Sequence, residues 1–329
     1  MKAAVFKEAG LLAVEDVPEP EAGPGQVVLK VSCCGICGSD LHRYAYGLMA
    51  PGVIMGHEYA GTVVAVGEGV EGWKVGDRAL RGFRGSLAPR YSAREKGFTV
   101  DTKAPGGYAE YTAAAASALF RIPDHLSDEE AALAEPLAVA LHAVRLSGIK
   151  IGDGVLVMGA GPIGLFAVQC ARLSGPGLLV VSEPVAARRE LALKLGADVA
   201  LDPREVDVVA EAVRLTGGLG PDVVLECAGA KPTLQQALEA VRQRGRVVLV
   251  ALCMEPCTVS PLDWVGREVQ LQCSYAATGE EWQIAIDLLA KGRVQARPLI
   301  SQTIPLAEIQ QAFQALLRPT DELQVLVRP

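Results

Sequence analysis

Residues 155–164 read VLVMGAGPIG. Four apolar residues run into a turn punctuated by Gly159, Gly161 and Gly164, and the turn runs into LFAVQCARL, where apolar residues recur at helical spacing. The pattern is G-x-G-x-x-G between a strand and a helix, the context in which that motif binds a dinucleotide. Gly159 permits the tight turn, Gly161 lets the backbone approach a pyrophosphate, and Gly164 lets helix pack on strand. Pro162 and Ile163 open the helix, whose first turn presents N–H groups and a positive dipole to phosphate. The alternation continues outward: LLVVSEP, VAARRELALKLGAD, DVVLECAG, TLQQALEAVRQRG and RVVLVAL read as strand, helix, strand, helix, strand. Apolar strands alternating with amphipathic helices predict a parallel sheet covered on both faces, here over residues 146–285. Glu183 ends the second strand, 19 residues past Gly164. A carboxylate there accepts hydrogen bonds from ribose hydroxyls and repels a 2′-phosphate, which predicts NAD over NADP. Arg188, a few residues on, could meet a phosphate instead.

The flanking sequence has another character. Up to about residue 115, short β-branched runs such as VVLKVS and AGTVVAVG alternate with Gly and Pro turns, and the Ala-rich run at 113–118 reads as a connecting strand. At 127 the stretch SDEEAALAEPLAVALHAVRLSG opens with Ser127 and Glu130, a capping box, and Glu135-Pro136 predicts a break before a helix through Ser147. After 285 the chain returns to short strands and one helix. The expectation is an α/β protein whose mostly-β domain, 1–145 completed by 286–329, is interrupted by the doubly wound one; 329 residues are too many for one core.

Composition narrows the partners. The net charge of −7 comes with no massing of basic residues, which argues against nucleic acid. No apolar run approaches the roughly 18 residues that suggest a membrane span. The start MKAAVFKEAG lacks the features of a signal peptide, so a cytoplasmic location is expected. Lasting disulfides are then not expected among the 8 cysteines.

Three of those cysteines fall within SCCGICGSD at 32–40. A redox pair of Cys34 and Cys37 would need a thioredoxin-like βαβ context, which is missing. Downstream, GHEYAG at 56–61 supplies His57 and Glu58, and Glu135 stands where the two regions meet. Thiolate, imidazole and carboxylate are the side-chain types that bind zinc.

The stretches CGICGSDLH, GHEYAGTVVAVGEGVEGWKVGDR, GGYAEY, EPLAVALHAV, VLVMGAGPIG and VVLECAG together resemble the zinc-type medium-chain alcohol dehydrogenases, in particular the polyol, butanediol and threonine dehydrogenase branch. The resemblance spans nearly the whole chain. It implies a GroES-like catalytic domain interrupted by a Rossmann domain, with the active site in the cleft between them, and a homodimer or homotetramer acting on a small-molecule alcohol. It makes Cys37 and His57 ligands of one catalytic zinc per chain, with Glu58 and Glu135 completing the site, alternately or together with water. Three negative ligand charges against +2 suggest that one glutamate lets go when substrate binds. Ser39 would take the substrate proton and His42 pass it on, while hydride goes from a secondary alcohol, a polyol or vicinal diol, to NAD. Cys227, Ala228 and Val250, beyond two later strands, would also line the cofactor. No role follows for Cys33, and Cys34 matches a family cysteine that is not a ligand.

Two departures matter. Relatives often carry a structural zinc held by four cysteines between GDR at 76–78 and GGYAEY at 106–111; the corresponding segment here holds neither Cys nor His, so no structural zinc is expected. That segment instead carries Arg81, Arg84, Arg90 and Arg94, with Arg78 just before it. Where the polyol branch often has a substrate-touching tyrosine stands Arg43, followed by Tyr44 and Tyr46, so Arg43 and Tyr44 are the candidate substrate residues. Arg43 could clamp a carboxylate or phosphate, so a sugar acid or polyol phosphate is a rival substrate class. A zinc-free NADPH quinone or enone reductase, and a non-catalytic nucleotide-binding protein, are rival functions on the same fold.

Overall fold

A computed structural model describes residues 1–82, 105–318 and 321–329. Arg84, Arg90 and Arg94 lie outside the described residues. The chain divides into two compact units, Met1–Glu135 with Ala277–Pro329, and Pro136–Ala276. The sequence-based limits at 145 and 285 fall inside the helices Ala134–Ser147 and Gly279–Ala290. Among the described residues no helix is long and apolar enough to cross a membrane.

The second unit is built as the glycine turn predicts. Six parallel strands lie side by side in the order Val199–Leu201, Leu178–Ser182, Gly154–Met158, Val223–Glu226, Arg246–Leu249, Gln270–Cys273. The strand Gly154–Met158 has its chain successor on one side and a later strand on the other, so it marks the switch point where open α/β sheets bind ligands. The sheet's inner strands are mainly apolar, with Ser182, Glu226 and Arg246 at their ends, as expected of a sheet with helices on both faces. Gly159 leaves the first strand at φ +90, and a Cβ on Gly164 would overlap the Gly159 carbonyl oxygen. Only glycine satisfies both positions, which is how the helix Pro162–Leu173 starts directly against the strand. The outermost strand, Gln270–Cys273, is solvent-exposed along its length, as is the apolar pair Leu262 and Val265 on the helix Pro261–Arg267.

The first unit is a mixed β structure. A hairpin of Lys2–Glu8 and Leu11–Asp16 accompanies a seven-stranded sheet centred on Gln26–Gly35 and Glu58–Val66. The Ala-rich run forms the strand Tyr111–Ala115, which pairs with Gln26–Gly35. The C-terminal strand Gln324–Arg328 adds to the far end of Gln26–Gly35. The core joins Val27, Leu29 and Val31 to Tyr44, Tyr59, Tyr108 and Phe313.

Register is what assembles residues far apart in sequence. In the antiparallel pair, Cys34 faces Tyr59 and Gly35 faces Glu58. Cys37, two residues beyond Gly35, is thereby delivered beside His57 and Glu58, twenty residues away. Gly35 leaves room for the Glu58 carboxylate and the Gln324 amide opposite it, which a Cβ there would displace. Gly56 turns the chain at φ +96 above the Cys34 sulfur and the Tyr108 ring, leaving no room for a side chain. Cys34 is thus a buried packing residue beneath that turn.

Candidate metal centre and nucleotide loop

Cys37 caps the helix Gly38–Tyr46, His57 precedes the strand Glu58–Val66, and Glu58 opens it. The Cys37 sulfur, a His57 ring nitrogen and a Glu58 carboxylate oxygen all lie within 4.8 Å of one another. Zinc with bonds of about 2.0–2.3 Å spaces its ligands by roughly 3.3–3.8 Å. The three donors therefore need to contract only a little to hold such an ion, and thiol, imidazole and carboxylate are the donor types zinc takes. Glu135, in the first turn of the helix Ala134–Ser147, has an oxygen 4.0 Å from His57 Nε2. It stands beside the trio as a fourth candidate.

The neighbours of the trio orient it. His57 Nδ1 lies 3.4 Å from Asp40 Oδ2, which directs Nε2 toward the other donors. Asp40 is fully buried, accepts a 2.8 Å hydrogen bond from the Tyr108 hydroxyl and pairs with Arg43 at 3.1 Å. Gln324 Nε2 donates to Glu58 Oε2 at 2.7 Å. Ser39 Oγ donates to the Cys37 sulfur at 3.3 Å.

The electrostatics are those of a crowded anionic site. Burial, then the charge of Glu135, pushes the Glu58 carboxyl up to about 8. Burial also raises Glu135 and, with Glu58, the Cys37 thiol. Burial disfavours the charged form of His57, but Asp40 and Cys37 outweigh it and hold the imidazole well above its ordinary value. Burial likewise opposes ionisation of Asp40, and His57 and Arg43 overcome it. The group that would satisfy all of these side chains at once is a cation in their midst.

The structure places the remaining candidate residues as follows. Tyr44 is in the core: it is 1% exposed, its hydroxyl donates to the Gly10 carbonyl, and its ring packs edge-on against Phe313. No substrate reaches it there, because the helix Gly38–Tyr46 turns that face inward. Arg43 is paired with Asp40, the carboxylate behind His57. Its charge also reaches Glu135, as does that of Arg81. His42 sits half-buried on the same helix, with Nδ1 buried and without a hydrogen-bond partner among the described residues, and burial lowers its pKa. His142 is buried on its helix, and His125 is exposed with Nε2 2.9 Å from the Ala290 carbonyl. Sequence reading passed over Asp40 and Gln324. Asp40, three residues past Cys37, could have been suspected from the habit of metal-bound histidines to rest on a carboxylate. Gln324 gave no local signal, being 266 residues from Glu58.

In the nucleotide unit, a Cβ on Gly161 would meet nothing within 4 Å, so open space faces the helix N-terminus. Glu183 is buried, with Oε2 accepting from the Ala160 N–H at 2.7 Å and Oε1 from the Val185 N–H at 2.9 Å. Its carboxylate is thereby fixed against the glycine turn. Arg189 and Arg204 both pair with Asp202, at 3.0 and 2.6 Å. Arg188 lies on the helix Ala186–Lys194. Cys227 and Ala228 follow the strand Val223–Glu226, and Val250 follows Arg246–Leu249, all at the carboxyl edge of the sheet. A glycine cradle, a helix N-terminus and a fixed carboxylate fit a dinucleotide.

Replacing Asp40 by Asn keeps its shape and removes the charge behind His57. Zinc affinity should fall by about 10–100-fold, read by competition with a chromophoric chelator; an unchanged affinity would deny Asp40 that role.

Comparison with known proteins agrees with this geometry. Residues 23–124 match the alcohol dehydrogenase GroES-like domain, and residues 162–291 match the zinc-binding dehydrogenase domain. The chain is 37% identical to (R,R)-butanediol dehydrogenase of Bacillus subtilis (strain 168), over 100% of both chains. The crystal structure of 2R,3R-butanediol dehydrogenase from Bacillus subtilis superposes with a TM-score of 0.89 over 100% of this chain and 99% of that one, at 34% identity. Sorbitol dehydrogenase of Halalkalibacterium halodurans is 34% identical over 100% of this chain and 99% of its own. A zinc-binding dehydrogenase of Sinorhizobium meliloti 1021 bound to NADP is also similar, with a TM-score of 0.89 and 34% identity over 100% of this chain and 99% of that one. One matched domain contains the candidate ligands at 37, 57 and 58 and the other begins within the glycine turn; with relatives similar from end to end, this shows that the chain belongs to the zinc-binding alcohol dehydrogenase family.

Proposed function

We propose that this protein oxidises neutral secondary alcohols, vicinal diols or polyols, to ketones with NAD as acceptor, using one zinc per chain. The observation that carries the reading is the convergence of Cys37, His57 and Glu58 with Asp40 behind the imidazole. When bound, zinc supplies Lewis acidity toward a substrate hydroxyl, and the nicotinamide accepts hydride. The rest falls to the chain. Cys37, His57 and Glu58 hold the metal, with Glu135 as the exchangeable partner at 4.0 Å from His57. Gln324 keeps one Glu58 oxygen engaged, so that carboxylate can alternate between ligand and bystander. Ser39, beside the ligand sulfur, is the first acceptor of the substrate proton, and His42, whose Nδ1 has no partner among the described residues, the next.

The choice of NAD rests on Glu183, buried at the strand end, and on Arg189 and Arg204 being tied to Asp202. A 2′-phosphate would face a fixed carboxylate and arginines already paired. The choice of a neutral substrate rests on Arg43 being occupied by Asp40, and on likeness to proteins named for butanediol and sorbitol. Cytoplasmic location and assembly as a homodimer or homotetramer belong to the same reading; the exposed Gln270–Cys273 edge, with Leu262 and Val265 beside it, suits pairing with a second copy.

Metal analysis of the purified protein, together with NAD and NADP reduction on neutral diols, polyols, sugar acids and polyol phosphates, tests the reading. About one zinc per chain and chelator-sensitive NAD reduction on neutral diols are expected. Turnover confined to anionic substrates would return Arg43 to the pocket. Absence of zinc or of any alcohol turnover would overturn the proposal.

The relay makes a separate claim about pH. Burial disfavours the imidazolium of His42, so its pKa is lowered and its neutral, proton-accepting form persists into more acidic solution. The acidic limb of kcat should therefore lie below the ordinary histidine value. His42→Ala should lower kcat by about a hundredfold and displace that limb; an unchanged rate and profile would remove His42 from the relay.

A further inference from the structure

Beyond the strands Val223–Glu226 and Arg246–Leu249 the nucleotide unit has two loops, residues 227–232 and 250–260. They are fastened together at the carboxyl edge of the sheet. Val250 and Ala251 both donate backbone N–H groups to the Glu226 carbonyl, at 2.9 and 3.1 Å, and Lys231 forms an ion pair with Glu255. The second loop carries Cys253 and Cys257, both partly exposed. Their sulfurs are 3.2 Å apart and both thiols point at the same carbonyl, that of Glu255, at 3.1 and 3.7 Å. No metal-site role uses these cysteines. They differ from Cys33, Cys34 and Cys170, which are sealed in the core, and from Cys273, which is exposed on an edge strand.

A disulfide bond is about 2.05 Å long, so closure asks the two sulfurs to approach by only about 1.2 Å. A bridge closing a short, solvent-reachable loop is of the labile kind that forms and breaks with the surrounding thiol–disulfide balance. We propose that Cys253 and Cys257 are a reversible redox modification site, whose disulfide clamps the 250–260 loop and so alters dinucleotide affinity. The second half rests on the reading that this edge binds NAD. The oxidant is a low-molecular-weight disulfide. The thiolate of one cysteine attacks it, breaking its S–S bond and releasing one small thiol. The thiolate of the other cysteine then attacks the mixed disulfide and releases the second small thiol. Two electrons and two protons pass to the small molecule, and one S–S bond forms in the protein for the one broken. Val250, the first residue of the loop and bonded to Glu226, is where the clamp is transmitted.

The test equilibrates zinc-loaded full-length protein with oxidised and reduced glutathione at varied ratio, then acid-quenches, denatures and alkylates it. Protein kept reduced should take up label at all 8 cysteines. The oxidised form should lose about 2 Da, and peptide mapping should join residue 253 to 257, with zinc content unchanged. NADH titration of the two forms should give dissociation constants differing by about fivefold or more, and the Cys253→Ser/Cys257→Ser variant should show no such response. Failure of the 253–257 bridge to form, or formation of another pair instead, overturns the proposal whatever the nucleotide result. A bridge that forms without changing NADH affinity overturns the clamp. Reduced protein that binds no NADH contradicts the NAD reading and removes the clamp with it, while the thiol count still judges the bridge by itself.

Discussion

Four acidic side chains, Cys37, Asp40, Glu58 and Glu135, are drawn around one imidazole in the interior of the first unit, and the arrangement depends on neutralising their charge. Burial drives each toward its protonated form, and at Glu58, where the charge of Glu135 adds to it, the carboxyl rises to about 8. The chain supplies some compensation: Arg43 and Tyr108 serve Asp40, and Gln324 serves Glu58. These partners secure the outer carboxylate and one oxygen of the inner one. What they leave is a thiol, an imidazole nitrogen and carboxylate oxygens facing one another, which a divalent cation satisfies. Because the ligands must shed protons to bind it, metal uptake and proton release are linked there.

Backbone geometry holds this charge together. The register that sets Gly35 opposite Glu58 is enforced by core residues on both strands, and slipping it by one residue would turn the buried face outward. Small residues do the close work: Gly35 admits the carboxylate, and Gly56 crosses above Cys34 and Tyr108. The same economy of space operates in the nucleotide unit, where Gly159 and Gly164 bring helix and strand together and Gly161 leaves its side open. In both units the chemistry sits where a strand ends and a turn too tight for a side chain begins.

What the sequence made legible follows from this. The glycine turn, the alternating strands and helices, and the thiol, imidazole and carboxylate donors are local patterns, and each appears where its pattern placed it. Ser127 does cap its helix, with its hydroxyl accepting from the Glu130 N–H. The place of Tyr44 is not legible in the sequence because neighbours of a candidate ligand share its helix but not its face; position 44 points to the core while position 43 reaches Asp40. Gln324 was invisible because its role comes from a C-terminal strand joining the sheet beside Gly35, a pairing no local pattern announces. Arg43 is compatible with a substrate clamp in the sequence because its partner, Asp40, is revealed only by the fold.

The central claim is that the donors at 37, 57 and 58 hold zinc. Diffraction from crystals of the zinc-loaded protein, collected on either side of the zinc absorption edge, tests it most directly. The account predicts an anomalous peak bonded to Cys37 Sγ and His57 Nε2, with Asp40 still on Nδ1. A zinc-loaded crystal with no peak there, or with zinc bound only elsewhere on the chain, would contradict it.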